Sequence, residues 1–225
     1  MRFGGIQKTS LIDFPDRIAT VLFTPGCNLR CPYCHNWRLV LDPTGPFLSE
    51  ADVLQILDGR RRFVEAVVIT GGEPTIHSDL PGFLRTLKER GYAVKLDTNG
   101  LLPEALGACL PHLDYVAMDL KTSPDRYPEL GAESAEGLLG SIELLRRGSV
   151  EHEFRCTVVP GFVDEETIPM MGEAIRGARR FAFQQFVPGD TLDPAFNSVR
   201  PYPRDRITRL AEIMEGYVDE VVLRV

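Results

Sequence analysis

Short apolar runs alternate along this chain with segments in which apolar residues recur every three or four positions. The runs are rich in β-branched residues, and we interpret them as strands. They cover residues 18–23, 66–70, 93–97, 115–120, 153–159, 181–187 and, near the end of the sequence, 218–225. Strands that are apolar throughout are typical of a parallel sheet covered on both faces.

The segments between the runs predict helices, because their apolar residues repeat with the helical period. Four stripes carry this prediction: Leu80, Phe83, Leu84 and Leu87; Leu138, Ile142 and Leu145; Ile168, Met171, Ile175 and Ala178; and Ile207, Leu210, Ala211 and Met214. Ser49 followed by Asp52 resembles a capping box at a helix start. Repeated strand–helix units imply right-handed crossovers and an α/β fold. Six central strands fit either a doubly wound sheet or a partial barrel, and periodicity does not choose between them.

Size and charge narrow the class of protein. The chain has 225 residues, 44% of them apolar, which suits one domain over residues 1–225. A formal net charge of −7 argues against a nucleic-acid or anionic-membrane surface. No apolar run approaches the ~20 residues of a membrane span, and the first residues lack the apolar core of a signal peptide. We therefore expect a cytoplasmic protein.

Residues that can carry chemistry collect where the predicted strands end. They are Cys27 after the first strand, Gly71, Gly72 and Glu73 after the second, Asp97 and Asn99 after the third, and Asp119 and Lys121 after the fourth. Strand alternation puts Asp119 and Lys121 on one face. Because α/β folds place active sites at the carboxyl ends of parallel strands, this coincidence predicts an active site there.

Three of the five cysteines lie within eight residues, as Cys27, Cys31 and Cys34 with the spacing C-x3-C-x2-C. In a reducing compartment such crowding indicates metal or redox chemistry more than disulfides. Thiolates are the ligands of iron–sulfur clusters. Three of them on a four-iron cluster would leave one iron open to a cofactor or substrate.

Four other interpretations of this loop are open. Cys31-Pro32-Tyr33-Cys34 is a glutaredoxin-like dithiol, and Cys31 to His35 also spells a haem-attachment pattern. The three cysteines with His35 could bind structural zinc, and all three could simply be buried core residues. None of the four explains the third cysteine together with the polar strand ends.

The cysteine spacing, with the aromatic Tyr33 before the last cysteine, resembles the signature of the radical S-adenosylmethionine (SAM) superfamily. The resemblance covers nearly the whole chain and implies a partial (β/α)6 barrel. It implies a [4Fe–4S] cluster on Cys27, Cys31 and Cys34, with the amino and carboxylate groups of SAM on the fourth iron. Gly71-Gly72-Glu73 is similar to the superfamily's GGE motif, which contacts the methionine amine. Tyr33 belongs to the same cofactor-binding set.

Further segments resemble the activating enzymes of glycyl-radical enzymes: Thr9 to Pro15, Cys34-His35-Asn36, Asp97-Thr98-Asn99-Gly100, Asp119-Leu120-Lys121 and Arg155 to Gly161. This narrower resemblance implies that Asp97 and Asp119 help to hold a monovalent cation near the cofactor carboxylate. It also implies that Lys121 contacts that carboxylate, that Arg155 faces the active site, and that Asn99 belongs to the cofactor-binding residues.

One departure separates the chain from pyruvate formate-lyase activases, which carry a histidine near strand six. No histidine follows His152, and the corresponding stretch begins Gln184-Gln185. We expect one of these two carboxamides to replace that histidine and assign the role to Gln185. The short chain resembles more closely the activating proteins of anaerobic ribonucleoside-triphosphate reductase.

The resemblance implies an oxidoreductase that takes an electron from a flavodoxin or ferredoxin and reductively cleaves SAM. The resulting 5′-deoxyadenosyl radical would remove hydrogen from a glycine of a partner enzyme. Two alternatives stay open: a radical SAM enzyme acting on another peptide, a small molecule or RNA, and a non-catalytic iron–sulfur electron-transfer module.

Overall fold

Strands and helices alternate along the chain. The computed structural model describes residues 1–41 and 45–225. In chain order the strands are β1 (Arg2–Phe3), β2 (Gly5–Ser10), β3 (Ala19–Thr24), β4 (Leu48–Ser49), β5 (Ala66–Gly71), β6 (Ala93–Thr98), β7 (Tyr115–Asp119), β8 (Glu151–Val158), β9 (Arg180–Gln185) and β10 (Glu220–Arg224). The α-helices are α1 (Trp37–Leu41), α2 (Glu50–Asp58), α3 (Leu80–Glu89), α4 (Pro103–Cys109), α5 (Glu136–Arg147), α6 (Thr167–Ala174) and α7 (Arg204–Met214). Short 3-10 helices cover Pro74–Ile76, Leu110–His112, Pro124–Leu130 and Pro194–Ser198.

The predicted elements are confirmed with small shifts of their ends. All seven predicted strands are present, as β3 and β5 to β10. The four apolar stripes face the core from α3, α5, α6 and α7, and the Ser49–Asp52 capping box starts α2. One stripe was extended too far, because α6 ends at Ala174 while Ile175 and Ala178 are buried beyond its end. No helix among the described residues is long and apolar enough to cross a membrane.

The chain divides into two compact units. The first comprises Met1–Cys27, Asn36–Thr98 and Glu104–Val116, and the second comprises Asn28–His35, Asn99–Pro103 and Ala117–Val225. The prediction of a single domain stays a prediction.

The sheet strands of the first unit follow the order β2-β3-β5-β6. Strand β2 is antiparallel to β3, whereas β3, β5 and β6 run parallel. Val67, Val68 and Ile69 of β5 are fully buried, as expected for a strand covered on both faces. Because α3 presents an apolar stripe, it packs on this unit, where Phe83 meets Phe3 with ring centroids 5.0 Å apart.

The strands of the second unit follow the order β7-β8-β9-β10, and β8, β9 and β10 are parallel. Glu153 of β8 is 1% exposed and accepts two hydrogen bonds from Arg224 of β10, at 2.8 and 2.7 Å. The register places Thr157 beside Gln184 and Gln184 beside Arg224. One row of polar side chains therefore crosses the carboxyl ends of three strands.

The ends of β3 and β5 in the first unit are joined by close backbone contact. The Gly72 N–H donates to the Thr24 carbonyl and the Glu73 N–H donates to the Gly26 carbonyl, both at 2.8 Å. A Cβ on Gly72 would lie 1.7 Å from the Gly26 oxygen, and Gly71 has a φ of +115°. Glycine is therefore required at both positions, because only glycine allows this backbone approach and this φ. This clasp fixes the chain immediately before Cys27.

We predict that Gly72→Ala lowers the free energy of unfolding by about 2 kcal/mol, because the clasp must open to admit a methyl group. The matched control is Gly82→Ala in α3, where a Cβ would meet nothing within 4 Å. That control should raise stability by about 0.5–1 kcal/mol, since alanine favours helix. Chemical denaturation measures both, and equal effects of the two substitutions would contradict the packing described.

Candidate functional site

The cysteine loop, which is the stretch from Cys27 to Cys34, has main-chain hydrogen bonds within the second unit. The Leu192 N–H donates to the Cys34 carbonyl at 3.1 Å, and the Asp193 N–H donates to the Pro32 carbonyl at 2.8 Å. The Cys34 N–H closes a turn onto the Cys31 carbonyl at 3.1 Å. Cys31 is buried and Cys34 is half-buried in this unit, whereas Cys27, also half-buried, ends a segment of the first unit.

Tyr33 places a buried hydroxyl beside this turn. Its ring packs against Phe162 and Phe196, with centroids 5.3 and 6.2 Å away. The side chain is 8% exposed, and its hydroxyl has no hydrogen-bond partner among the described residues. Burial raises the pKa of Tyr33 well above its ordinary value, and the neighbouring Cys31 adds to this effect. The hydroxyl therefore keeps its proton and can donate a hydrogen bond to a ligand.

Asp119 and Lys121 point to the same face at the end of β7, as strand alternation predicts. The Lys121 ammonium is 3.1 Å from Asp119 Oδ2, and the Arg155 guanidinium is 2.7 Å from Asp119 Oδ1. Burial alone would raise the pKa of Asp119, but the charges of Arg155 and Lys121 outweigh it and hold that pKa well below its usual range. Asp119 is therefore a carboxylate at neutral pH.

Lys121 remains an ammonium in this cluster. Burial by itself would lower the pKa of Lys121, but Asp119, Cys31 and Tyr33 raise it well above the ordinary value. Lys121 and Arg155 thus both contact the Asp119 carboxylate, and the Lys121 ammonium lies near the Tyr33 hydroxyl. An ammonium and a neutral hydroxyl donor suit a ligand carboxylate.

The Glu73 side chain is almost completely buried in the first unit, where the residue is 1% exposed. Its Oε1 accepts hydrogen bonds from the Thr75 N–H at 3.0 Å, the Thr75 hydroxyl at 2.5 Å and the Thr98 hydroxyl at 2.7 Å. The Asn36 side chain donates to the Gly71 carbonyl at 2.9 Å. The Gly-Gly-Glu segment is thus held from both its main chain and its side chain.

Asp97 is paired with Lys95 in the first unit, with 3.3 Å between Lys95 Nζ and Asp97 Oδ1. Both side chains are almost completely buried, and Lys95 also donates to the Asp13 carbonyl. Sequence reasoning did not single out Lys95, although a lysine inside a buried strand two residues before an aspartate was a usable signal. The predicted cation beside Asp97 and Asp119 stays a prediction.

Asn99 contacts the cysteine loop directly in the second unit. Its side-chain amide donates to Asn28 Oδ1 at 2.7 Å, and its own Oδ1 accepts from the Leu101 N–H at 3.0 Å. Asn28, the residue after Cys27, was missed because one asparagine in a loop carries no distinguishing pattern.

A cavity of about 360 Å³ lies at the carboxyl ends of β8, β9 and β10; it is lined by His35, Thr157, Gln184, Gln185, Val187 and Arg224. The Gln185 amide donates to the carbonyls of Phe186 and Tyr202, at 3.3 and 3.4 Å. Gln184 instead shares the row of Thr157 and Arg224. Both candidate carboxamides thus reach the cavity, and the assignment of the ligand-binding role to Gln185 stays a prediction.

The donor set fits an iron–sulfur cluster with a bound amino acid. Three thiols in one eight-residue stretch offer the sulfur ligands such clusters use, and Lys121 with Tyr33 offers donors for a carboxylate. Within residues 1–41 and 45–225, no three His, Cys, Asp or Glu side chains form a group arranged to hold a metal ion.

Comparisons with known proteins agree with this chemistry. The family model described as the Radical SAM superfamily matches residues 21–174. A Methanocaldococcus jannaschii protein named as a glycyl-radical enzyme activating enzyme is 36% identical over 231 residues, covering 98% of this chain and 95% of its own. The pyruvate formate-lyase 1-activating enzyme of Escherichia coli K12 is 25% identical over 241 residues, covering 98% of both chains.

Among solved structures, TYW1 with a lysine-pyruvate adduct bound has a TM-score of 0.62 at 16% identity, over 88% of this chain and 73% of that chain. With the family match, this likeness confirms the predicted fold, a partial (β/α)6 barrel of the radical SAM type. Members of that family use a [4Fe–4S] cluster and SAM. This chain belongs to the radical SAM superfamily and, within it, to the glycyl-radical enzyme activating enzymes.

Proposed function

We propose that this chain installs a glycyl radical on an enzyme of the anaerobic ribonucleotide reductase type, using a [4Fe–4S] cluster held by Cys27, Cys31 and Cys34. The observation that carries the proposal is the loop Cys31–Cys34, which lies in one compact unit with the half-buried Lys121 ammonium and the buried Tyr33 hydroxyl. Thiols for a cluster and donors for a carboxylate are the two requirements for SAM chemistry at an open iron.

When bound, the cluster supplies the single electron that splits SAM into methionine and a 5′-deoxyadenosyl radical. The protein residues bind and orient. Lys121, with Tyr33, receives the methionine carboxylate, while Arg155 keeps Asp119 ionised and so keeps Lys121 in place. Such preorganised charges need no rearrangement when the ligand arrives.

The polar residues at the carboxyl end of β9 support one class of partner enzyme over the other. The chain has no histidine after His152, and the polar row contains Gln184 between Thr157 and Arg224. A carboxamide in place of the activase histidine supports the ribonucleotide reductase type over the pyruvate formate-lyase type. We further propose a cytoplasmic location and a flavodoxin or ferredoxin as electron donor, because the cysteines need a reducing environment and the cleavage needs one electron.

We predict that Cys27→Ala, Cys31→Ala and Cys34→Ala each abolish 5′-deoxyadenosine formation, since each removes one cluster ligand. The measurement is iron content and 5′-deoxyadenosine after anaerobic reconstitution with SAM and dithionite. Cys109→Ala is the control, because Cys109 is fully buried in α4 and burial raises its pKa to about 12. Normal cleavage by any of the three loop variants would exclude the proposed ligand set.

We predict that Lys121→Met weakens SAM binding to the reconstituted protein at least about tenfold, because a charged hydrogen bond to the carboxylate is lost. Equilibrium dialysis measures the affinity, and iron content should be unchanged. Lys88→Met, which removes a half-exposed partner of Asp114, is the control. Since the pKa of Lys121 is raised and that of Asp119 lowered, wild-type affinity should show no titration of either group between about pH 6 and 9. Unchanged affinity in Lys121→Met would remove Lys121 from the site.

The partner is identified by reaction with both kinds of glycyl-radical enzyme from the same genome. With SAM and reductant, we expect a glycyl doublet in the electron paramagnetic resonance spectrum of the anaerobic ribonucleotide reductase. A doublet on the pyruvate formate-lyase type alone would overturn the choice of partner while leaving the activase chemistry intact. Cofactor cleavage with no doublet on either would favour another substrate, and a cluster without cleavage would favour an electron-transfer module.

A further inference from the structure

Hydrogen bonds from neighbouring residues hold the Glu73 side chain in place. Three donors converge on Oε1: the Thr75 N–H, the Thr75 hydroxyl and the Thr98 hydroxyl, at 3.0, 2.5 and 2.7 Å. A carboxylate oxygen offers about two lone-pair positions, so this oxygen is already saturated. With 1% of the residue exposed, Oε1 faces almost no solvent and is occupied by donors of the protein itself.

The main chain of the same residue holds the start of the cysteine loop. The Glu73 N–H donates to the Gly26 carbonyl at 2.8 Å, one residue before Cys27. The adjacent Gly72 N–H donates to the Thr24 carbonyl at the same distance. Nearby, His77 Nε2 lies 2.9 Å from the Pro25 carbonyl. Glu73 thus connects the end of β3 through its N–H and the end of β6 through its carboxylate.

We propose that Glu73 is a positioning residue for Cys27: its Oε1, held by Thr75 and Thr98, fixes the main-chain clasp that sets the path of the cysteine loop. This differs from a role in which the carboxylate binds the cofactor's ammonium group directly. The importance of this positioning for a cluster rests on the proposed function. The positioning itself can be tested on the protein without a cluster.

The two roles predict different outcomes for a charge-neutral substitution. In Glu73→Gln the carboxamide oxygen can accept the same three hydrogen bonds, so positioning should survive. A direct bond to an ammonium group depends on the negative charge, so it should be lost. In Glu73→Leu, the buried Thr75 N–H and two hydroxyls lose their acceptor, which loosens the segment.

Amide hydrogen exchange of Gly72 and Glu73, measured by NMR on the cluster-free chain, tests the proposal first. Exchange should be at least tenfold faster in Glu73→Leu than in wild type and within threefold of wild type in Glu73→Gln. Thr98→Val removes one donor while keeping the shape, and should accelerate exchange even if Glu73→Leu fails to fold. Thr86→Val is the matched control and should leave both amides unchanged, because the Thr86 hydroxyl donates to the Gly82 carbonyl on the solvent side of α3.

Cluster loading and cofactor binding complete the test. Glu73→Gln should bind iron and SAM within threefold of wild type. Thr98→Val should bind less iron than wild type, while its helix α3 should unfold at the same temperature as in wild type. The proposal is overturned if Glu73→Gln loads a full cluster with protected amides yet binds SAM at least tenfold more weakly, because that result assigns a direct ligand role. If wild type cleaves no SAM but the exchange pattern is as expected, the proposed function fails and the clasp stands.

Discussion

Two peptide hydrogen bonds between the ends of neighbouring strands are the constraint on which the proposed chemistry depends. They join Thr24 and Gly26 to Gly72 and Glu73, and they can form only because Gly72 carries no Cβ. A parallel sheet ends in loops that must leave it in different directions, and here one such loop carries the first cysteine. Holding the chain at Gly26 removes freedom from Cys27 before any ligand arrives, which reduces the entropy lost on ligand binding.

The second unit contributes charged side chains to the proposed site, whereas the first unit contributes the two main-chain hydrogen bonds. Asp119 lies between the cations of Arg155 and Lys121, so its negative charge holds two positive groups in position. The Tyr33 hydroxyl adds a donor that costs little to use, since it has no partner to give up among the described residues. A half-buried cluster of this kind suits a ligand carboxylate, because folding has already removed part of the water around its members.

The strands and helices were predictable from the sequence where their burial requires a regular pattern of apolar residues. Strand β5 is apolar at successive positions and α3 repeats its apolar residues with the helical period, so both were found from the sequence. Strand β2 was missed because its residues Gly5–Ser10 are mostly polar, as suits an edge strand. The chemistry-bearing strand ends were recognised because they occur as short contiguous motifs.

Contacts between distant parts of the sequence could not be read in this way. Lys95 reaches Asp13 across 82 positions, and Arg224 reaches Glu153 across 71. The hydrogen bond from the Thr98 hydroxyl to Glu73 Oε1, across 25 positions, belongs to the same class. A motif identifies which residue types are present, but only the packed structure shows which hydroxyls donate to a carboxylate oxygen.

The central claim is that SAM binds the iron that the three thiolates leave open. Electron paramagnetic resonance with nuclear double resonance on the reduced, anaerobically reconstituted wild-type protein tests this directly, using SAM labelled with ¹⁵N in its amino group. The account predicts a [4Fe–4S] signal that changes on SAM addition and couples to ¹⁵N. A four-iron cluster with no such coupling, or a loop that takes up zinc in place of iron, would contradict it.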